Sequence, residues 1–143
     1  MVAWRAVVRI LYLGTPVGAL GLLGRVPGIE IVAACISRPR FPGMRRLRRA
    51  CAEQLAVLFA RPDLHAESIS FLLKAARPDA LVSFFWDRQI PPEVLALAPL
   101  RIGVHPSLLP RHRGPDPYFW TLYRGDPTAG ATVFSLTDRL DEG

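Results

Sequence analysis

One histidine of this chain lies in a segment that two prolines stiffen, and an acidic residue follows it downstream. The histidine is His105, in Gly103-Val-His-Pro-Ser-Leu-Leu-Pro-Arg111, and the acidic residue is Asp141. Proline fixes its own φ and favours extended backbone in the residue before it, so Pro106 and Pro110 restrict the conformations of this loop. An imidazole with a fixed position is suited to proton transfer near neutral pH. We therefore take His105 as the first candidate for a catalytic group.

The elements around this loop alternate between short apolar runs and segments with helical spacing. The runs predict strands over 7–13, 29–36, 80–85, 101–104 and 130–136, and helices over 15–23, 44–59, 67–76, 91–98 and 115–123. Thr15 and Pro16 are typical of an N-cap and a first helical residue. This alternation predicts an α/β fold with a doubly wound, mostly parallel sheet.

Ligands of such sheets bind beyond the carboxyl ends of the strands. The predicted strands place residues 12–14, 85–86, His105 and 137–143 at that edge. We therefore expect one domain over 1–143, with its ligand site where these segments meet.

Composition narrows the class of protein. Half of the 143 residues are hydrophobic, which predicts a folded globular domain. The formal charge of +6 favours anionic partners, either nucleic acid or a polyanionic cofactor, although a solvated basic surface gives the same charge. Cys35 and Cys51 lack the spacing of metal ligands, so we expect no metal site, and their pattern fits a reducing cytoplasm.

No apolar run reaches the ~18 residues that a membrane-spanning helix needs. The apolar segment 6–23 is interrupted by Pro16 and glycines, so we do not expect it to be an export signal. A cytoplasmic protein is the expectation.

Four segments of the chain resemble formyltransferases that use 10-formyltetrahydrofolate. They are His105-Pro-Ser-Leu-Leu-Pro-Arg-His-Arg-Gly114, Gly125-Asp126, Thr128-Ala-Gly-Ala-Thr132 and Leu140-Asp-x-Gly143. The opening Arg9-Ile-Leu-Tyr-Leu-Gly-Thr-Pro16 is similar to that of methionyl-tRNA formyltransferases.

The resemblance extends from about Val7 to Gly143. It implies a Rossmann-like formyltransferase fold and an N-terminal catalytic domain that is incomplete at its C-terminus. It also implies transfer of a formyl group from 10-formyltetrahydrofolate to a primary amine. Methionyl-tRNA is the expected acceptor, with an amino sugar nucleotide or glycinamide ribonucleotide as alternatives.

The resemblance also assigns roles within the site. His105 would handle protons as the amine attacks the formyl carbon, and Asp141 would orient the imidazole and raise its basicity. The family has an asparagine two residues before the histidine, but this chain has Gly103 there and no asparagine anywhere. The alternative is therefore a catalytically impaired relative that binds folate without turnover.

The segment Phe84-Phe85-Trp-Asp-Arg-Gln-Ile90 covers the end of the strand predicted over 80–85 and the loop after it, where the family holds the pterin ring of folate. Aromatic side chains beside a polar loop suit a flat heteroaromatic ligand. Trp86, Arg88 and Ile90 are the expected pocket residues. One of the two phenylalanines is expected in the core, because neighbouring strand residues face opposite sides.

A run of arginines begins before the helix predicted over 44–59 and continues into it. In methionyl-tRNA formyltransferases a basic loop at this place contacts the tRNA acceptor arm, and arginines suit phosphate contacts. A solvated helix face is the competing interpretation. The arginines are Arg38, Arg40, Arg45, Arg46, Arg48 and Arg49. His112, between two further arginines, is expected to face solvent.

Overall fold

A single six-stranded sheet runs through the computed structural model, which describes residues 7–15, 17–38, 40 and 42–142. The strands are β1 (Val8–Gly14), β2 (Ile29–Ile36), β3 (Val57–Ala60), β4 (Ala80–Phe84), β5 (Leu100–His105) and β6 (Thr132–Ser135). The helices are α1 (Val17–Leu23), α2 (Met44–Glu53), α3 (Glu67–Ala75), α4 (Pro92–Leu95) and α5 (Pro117–Tyr123). The helix start predicted at Pro16 lies outside the described residues.

The sheet has the order β3-β2-β1-β4-β5-β6. All neighbouring pairs from β3 to β5 are parallel, and β6 is antiparallel to β5. The chain reverses its direction of winding between β1 and β4, which is where sheets of this kind form a ligand crevice. The α/β, doubly wound, mostly parallel fold predicted from the sequence is therefore confirmed.

Helices cover the two faces of the sheet because the central strands are apolar on both. Along β1, Leu11 and Leu13 belong to a core that includes Leu73 of α3. The alternate residues of β1 belong to a second core with Leu20 of α1 and Leu47 of α2. Successive strand residues point to opposite faces, so one continuous apolar strand supplies both cores.

The helix predicted over 44–59 is wrong in its second half. Helix α2 ends at Glu53, and Val57–Ala60 forms the edge strand β3 beside β2. Leu55, which fitted the apolar helix face, adopts a left-handed φ of 56° and is 92% exposed. The short strand was missed because its apolar residues continued the helical spacing of the segment before it.

The direction of β6 also changes how the chain reaches the site. Because β6 is antiparallel to β5, its carboxyl end lies away from His105, which pairs with Thr132 at the other end of the strand. The following segment turns back, so that residues from Thr137 to Asp141 line a cavity beside His105.

Both cysteines are buried in the sheet cores and form no disulfide. Burial raises the pKa of Cys35 to about 12 and that of Cys51 to about 11, so neither thiol ionises at neutral pH. Within the described residues, no helix has the length and apolar character needed to cross a bilayer.

Candidate active site

A cavity of about 310 Å³ lies at the crevice between the carboxyl ends of β1, β4 and β5. Its volume is within the range of small-ligand sites. Gly14 permits this arrangement at the end of β1, because it has a φ of 155° and a Cβ there would collide with the carbonyl group of Phe84. His105 and Asp141 both line the cavity.

The structure brings His105 and Asp141 together. His105 Nδ1 lies 3.2 Å from Asp141 Oδ1, and the two side chains are 10% and 17% exposed. The other carboxylate oxygen, Oδ2, accepts a hydrogen bond of 2.7 Å from the Gly114 N–H. Asp141 is therefore anchored to the main chain by one oxygen and contacts the imidazole with the other.

The second ring nitrogen of His105 has a partner that sequence reasoning did not find. Its Nε2 lies 2.9 Å from the main-chain carbonyl oxygen of His112. A carbonyl oxygen can only accept, so Nε2 donates a proton in this contact. The carboxylate oxygen near Nδ1 can also only accept, so both ring nitrogens of His105 face acceptors.

The expectation that His112 faces solvent is wrong. Its side chain is 6% exposed, and its Nε2 lies 2.6 Å from Asp126 Oδ2, whose side chain is 19% exposed. The hydrogen bond from His112 is the largest of the effects that lower the pKa of Asp126. The two arginines beside His112 suggested a solvated segment. The sequence feature that could have indicated a partner for His112 was the Gly125-Asp126 pair downstream.

Side-chain hydrogen bonds hold the loop after His105, in addition to its prolines. The Thr132 hydroxyl donates to the Ser107 carbonyl oxygen at 2.8 Å and accepts from the Leu109 N–H at 3.0 Å. The Ser107 hydroxyl donates to the Arg111 carbonyl oxygen at 2.6 Å. The loop is thereby fixed both internally and to strand β6.

Gly103 faces an aromatic ring across the sheet. It pairs with Phe134 of β6, and a Cβ at position 103 would lie 2.5 Å from Phe134 Cζ. Both residues line the cavity. The place that a larger side chain at position 103 would occupy is therefore filled by the Phe134 ring. Neither Gly103 nor the ring offers a side-chain hydrogen-bond donor here.

The three pocket residues predicted from the sequence, Trp86, Arg88 and Ile90, all line the cavity. The Arg88 guanidinium lies over the Trp86 ring, 4.6 Å from its centroid. Arg88 Nε and Nη2 and Trp86 Nε1 are buried, and no described residue of the protein accepts from them. Phe84 packs against the core, as expected for one of the two phenylalanines, and Phe85 is 39% exposed.

A second cavity, of about 590 Å³, adjoins the first and is strongly basic. Arg38 Nε contacts Asp87 Oδ2 at 3.1 Å, and Arg88 is shared between the two cavities. Burial raises the pKa of Asp87, but hydrogen bonds and the nearby Arg38 charge outweigh it and leave the pKa below its ordinary value. The lining residues are Ser37, Arg38, Arg40, Arg61, Asp87 and Arg88.

The remaining arginines of the basic run lie on the exposed face of α2, opposite the buried Leu47 and Cys51. Arg49 pairs with Glu53 at 2.8 Å. The structure thus divides the run into two cavity residues, Arg38 and Arg40, and a solvated helix face, comprising Arg45, Arg46, Arg48 and Arg49.

Comparison with solved structures shows where this architecture occurs. Glycinamide ribonucleotide transformylase 1 from Symbiobacterium toebii superposes with a TM-score of 0.75 at 24% identity, over 96% of this chain and 70% of that one. A formyltetrahydrofolate deformylase from Pseudomonas syringae pv. tomato gives a TM-score of 0.75 at 22% identity, over 96% of this chain and 48% of that one. These likenesses establish a shared fold.

Sequence comparison identifies the family. Methionyl-tRNA formyltransferase from Syntrophus aciditrophicus is 33% identical over 96% of this chain and 47% of its own length. The enzyme of the same name from Anaeromyxobacter dehalogenans is 36% identical over 94% of this chain and 46% of its own length. The chain thus spans about half the length of these curated relatives. A model of the formyl transferase family matches residues 23–143, and the chain belongs to that family.

Proposed function

We propose that this chain transfers a formyl group from 10-formyltetrahydrofolate to a primary amine. The observation that carries the proposal is the His105–Asp141 pair, 3.2 Å apart at the wall of a cavity large enough for a small ligand. An imidazole that a carboxylate orients is the usual group for moving a proton during acyl transfer.

The cavity wall suits a folate as formyl donor. Trp86 and Arg88 present buried N–H groups that no described residue accepts from, and carbonyl, carboxylate or ring nitrogen atoms of a ligand would satisfy them. The buried Ile90 adds an apolar surface for a flat ring. The bound folate would supply a carbon at the formyl oxidation level.

As the amine attacks the formyl carbon, its proton would pass to Nδ1 of His105, because Nε2 already donates to the His112 carbonyl oxygen. The proton would then go to the folate nitrogen as the bond between that nitrogen and the formyl carbon breaks. The imidazolium form of His105 would also stabilise negative charge that develops on the formyl oxygen. Asp141 would keep the ring oriented, because its second oxygen is itself fixed by the Gly114 N–H. The Pro-bounded loop and the Thr132 hydroxyl would limit movement of the ring as charge shifts.

Methionyl-tRNA is the acceptor we favour. Its support is the 33–36% identity to methionyl-tRNA formyltransferases and the exposed arginines of α2, which suit phosphate contacts. The Arg38, Arg40 and Arg61 cavity would take an anionic group of either the donor or the acceptor. An amino sugar nucleotide or glycinamide ribonucleotide is the alternative acceptor, and the name of the Symbiobacterium structure points to the latter.

The test is a formylation assay with one donor and a panel of acceptors. The protein is incubated with 10-formyltetrahydrofolate and charged initiator tRNA, then separately with glycinamide ribonucleotide and an amino sugar nucleotide. His105→Ala should abolish any product, whereas His65→Ala should not, because His65 is exposed and outside the cavity. Formylation of a small amine alone would refute the tRNA acceptor, and full activity of His105→Ala would refute the mechanism.

A second function is favoured by one observation, the apolar pair at Gly103 and Phe134. An asparagine amide at position 103 would donate a hydrogen bond to the negative charge that develops on the formyl oxygen, and Gly103 has no side chain to do so. Loss of one such donor typically lowers kcat by ~10²–10³-fold. The chain would then bind a formylated folate without efficient transfer. Calorimetric binding of the donor with no product from any acceptor would support this function. Appearance of product in a Gly103→Asn, Phe134→Ala double variant would show that the missing donor is the cause.

A further inference from the structure

Two histidine–carboxylate pairs lie in series behind the cavity. His105 contacts Asp141 through Nδ1, and its Nε2 contacts the main-chain carbonyl of His112. The His112 side chain in turn contacts Asp126 at 2.6 Å, which is shorter than the 3.2 Å of the first pair. The function proposed above uses only the first pair.

The backbone at His112 adopts a left-handed conformation. Its φ is 53°, in a region that residues other than glycine rarely adopt. Such a conformation costs on the order of 1 kcal/mol, so contacts elsewhere must hold it. The hydrogen bond with Asp126, from the segment between α5 and β6, supplies such a contact, with the imidazole 6% exposed.

This conformation determines where the His112 carbonyl points, and the carbonyl determines the protonation of His105. Because the carbonyl accepts only, Nε2 of His105 carries a proton while the contact lasts. The partner of one ring nitrogen fixes the tautomer and orientation of a working imidazole. The downward shift of the Asp126 pKa, caused first by the His112 hydrogen bond, agrees with a persistent contact between the two side chains.

We propose that His112 and Asp126 are positioning residues, whose side-chain pair holds the His112 carbonyl against His105 Nε2 and so fixes the ring's orientation and proton. Neither side chain lines the cavity beside His105 or the adjoining basic cavity, so neither is expected to touch substrate. The effect on catalysis rests on the proposed function, whereas the effect on the protonation of His105 does not.

The charges around this pair make Asp126 the residue to substitute. Arg111 and Arg124 both lie close enough to lower the pKa of Asp126, so its removal leaves the imidazole of His112 among positive charges. Asp126→Asn keeps the shape of the side chain and removes its charge. His112→Gln keeps an N–H donor toward Asp126, whereas His112→Leu removes it. Glu53→Gln, which breaks the exposed pair with Arg49 on α2, is the matched control.

The first measurement is a long-range ¹H–¹⁵N NMR spectrum of the histidine rings, with His105 assigned by its absence in His105→Ala. In the wild type and in Glu53→Gln, His105 Nε2 should carry a proton. In Asp126→Asn and His112→Leu, that signal should shift toward a mixture of tautomers, and His112→Gln should restore it. An unchanged His105 spectrum in a folded Asp126→Asn protein would overturn the proposal.

The second measurement is steady-state formyl transfer. Loss of an orienting partner should lower kcat by on the order of 10-fold or more while KM for the formyl donor stays the same. A rise in kcat would show that the carbonyl competes with substrate for Nε2 and would overturn the positioning role. If the wild type transfers no formyl group, the proposed function fails, and the ring spectrum alone then decides this inference.

Discussion

Substitution of Gly103 by alanine should destabilise the fold through a single methyl group. The added Cβ would lie 2.5 Å from Phe134 Cζ and 2.8 Å from both Cε atoms, closer than Cβ contacts in proteins normally are. Phe134 must then move, and overpacking of this kind costs about 1–3 kcal/mol. Part of that is offset, because replacing glycine restricts the unfolded chain and contributes about 0.4–1 kcal/mol.

The net loss of unfolding free energy for Gly103→Ala should therefore be about 1–2 kcal/mol. For a chain of this size, that corresponds to a fall in Tm of roughly 3–8 °C. Urea denaturation and thermal unfolding followed by circular dichroism measure both quantities. The matched control is Gly21→Ala in α1, where a Cβ meets no atom within 4 Å, and this variant should gain about 0.5–1 kcal/mol.

A double-mutant cycle isolates the contact itself. Phe134→Ala removes the ring, so Gly103→Ala should no longer destabilise the protein in that background. The coupling free energy should be about 1 kcal/mol or more, as found for side chains in direct contact. Gly103→Ala with wild-type stability, or a coupling near zero, would show that the ring does not fill this space.

Three further predictions concern the charged groups. Asp141→Asn should lower formyl transfer by about 10²-fold or more, measured as kcat, whereas the neighbouring Glu142→Gln should retain activity; equal losses would contradict the role of Asp141. Arg88→Ala should raise the Kd for the formyl donor about 10-fold or more by calorimetry, because its buried Nε and Nη2 have no acceptor among the described residues and a ligand would supply one. An unchanged Kd would place the donor elsewhere. The pKa of Asp126 lies below its ordinary 3.8, so its stabilising contribution is present above that pH and is lost as pH falls through the lowered value. The difference in stability between the wild type and Asp126→Asn should therefore shrink in acid titrations followed by urea denaturation, and a constant difference would contradict this sign.

The fold was predictable from sequence because its signals are local. Continuous apolar strands such as Ile29–Ile36 coincide with the observed bounds, and His105 ends its strand as expected. The failure at 55–60 has a physical cause, since the apolar residues of β3 fit both periods and only pairing with β2 selects the strand.

The site was predictable where sequence neighbours carry it. The loop at His105 and the wall from Trp86 to Ile90 are contiguous segments. The resemblance also indicated the distant pair of His105 and Asp141. Other contacts across the fold were not predictable, because nothing local relates His112 to Asp126 or Gly103 to Phe134. Antiparallel pairing of β6 creates the second contact, and the sequence did not specify that direction.

Part of the site is held in place by β6, a strand at the edge of the described sheet. Thr132 ties down the histidine loop and Phe134 forms the wall at Gly103, yet among the described strands β6 has a neighbour on one side only. Edge strands open at lower free energy than central ones. A brief detachment of these four residues would release the loop and uncover the wall at once, while β1 and β4 stay folded. The arrangement of the proposed site can therefore be lost well below the temperature at which the sheet itself melts.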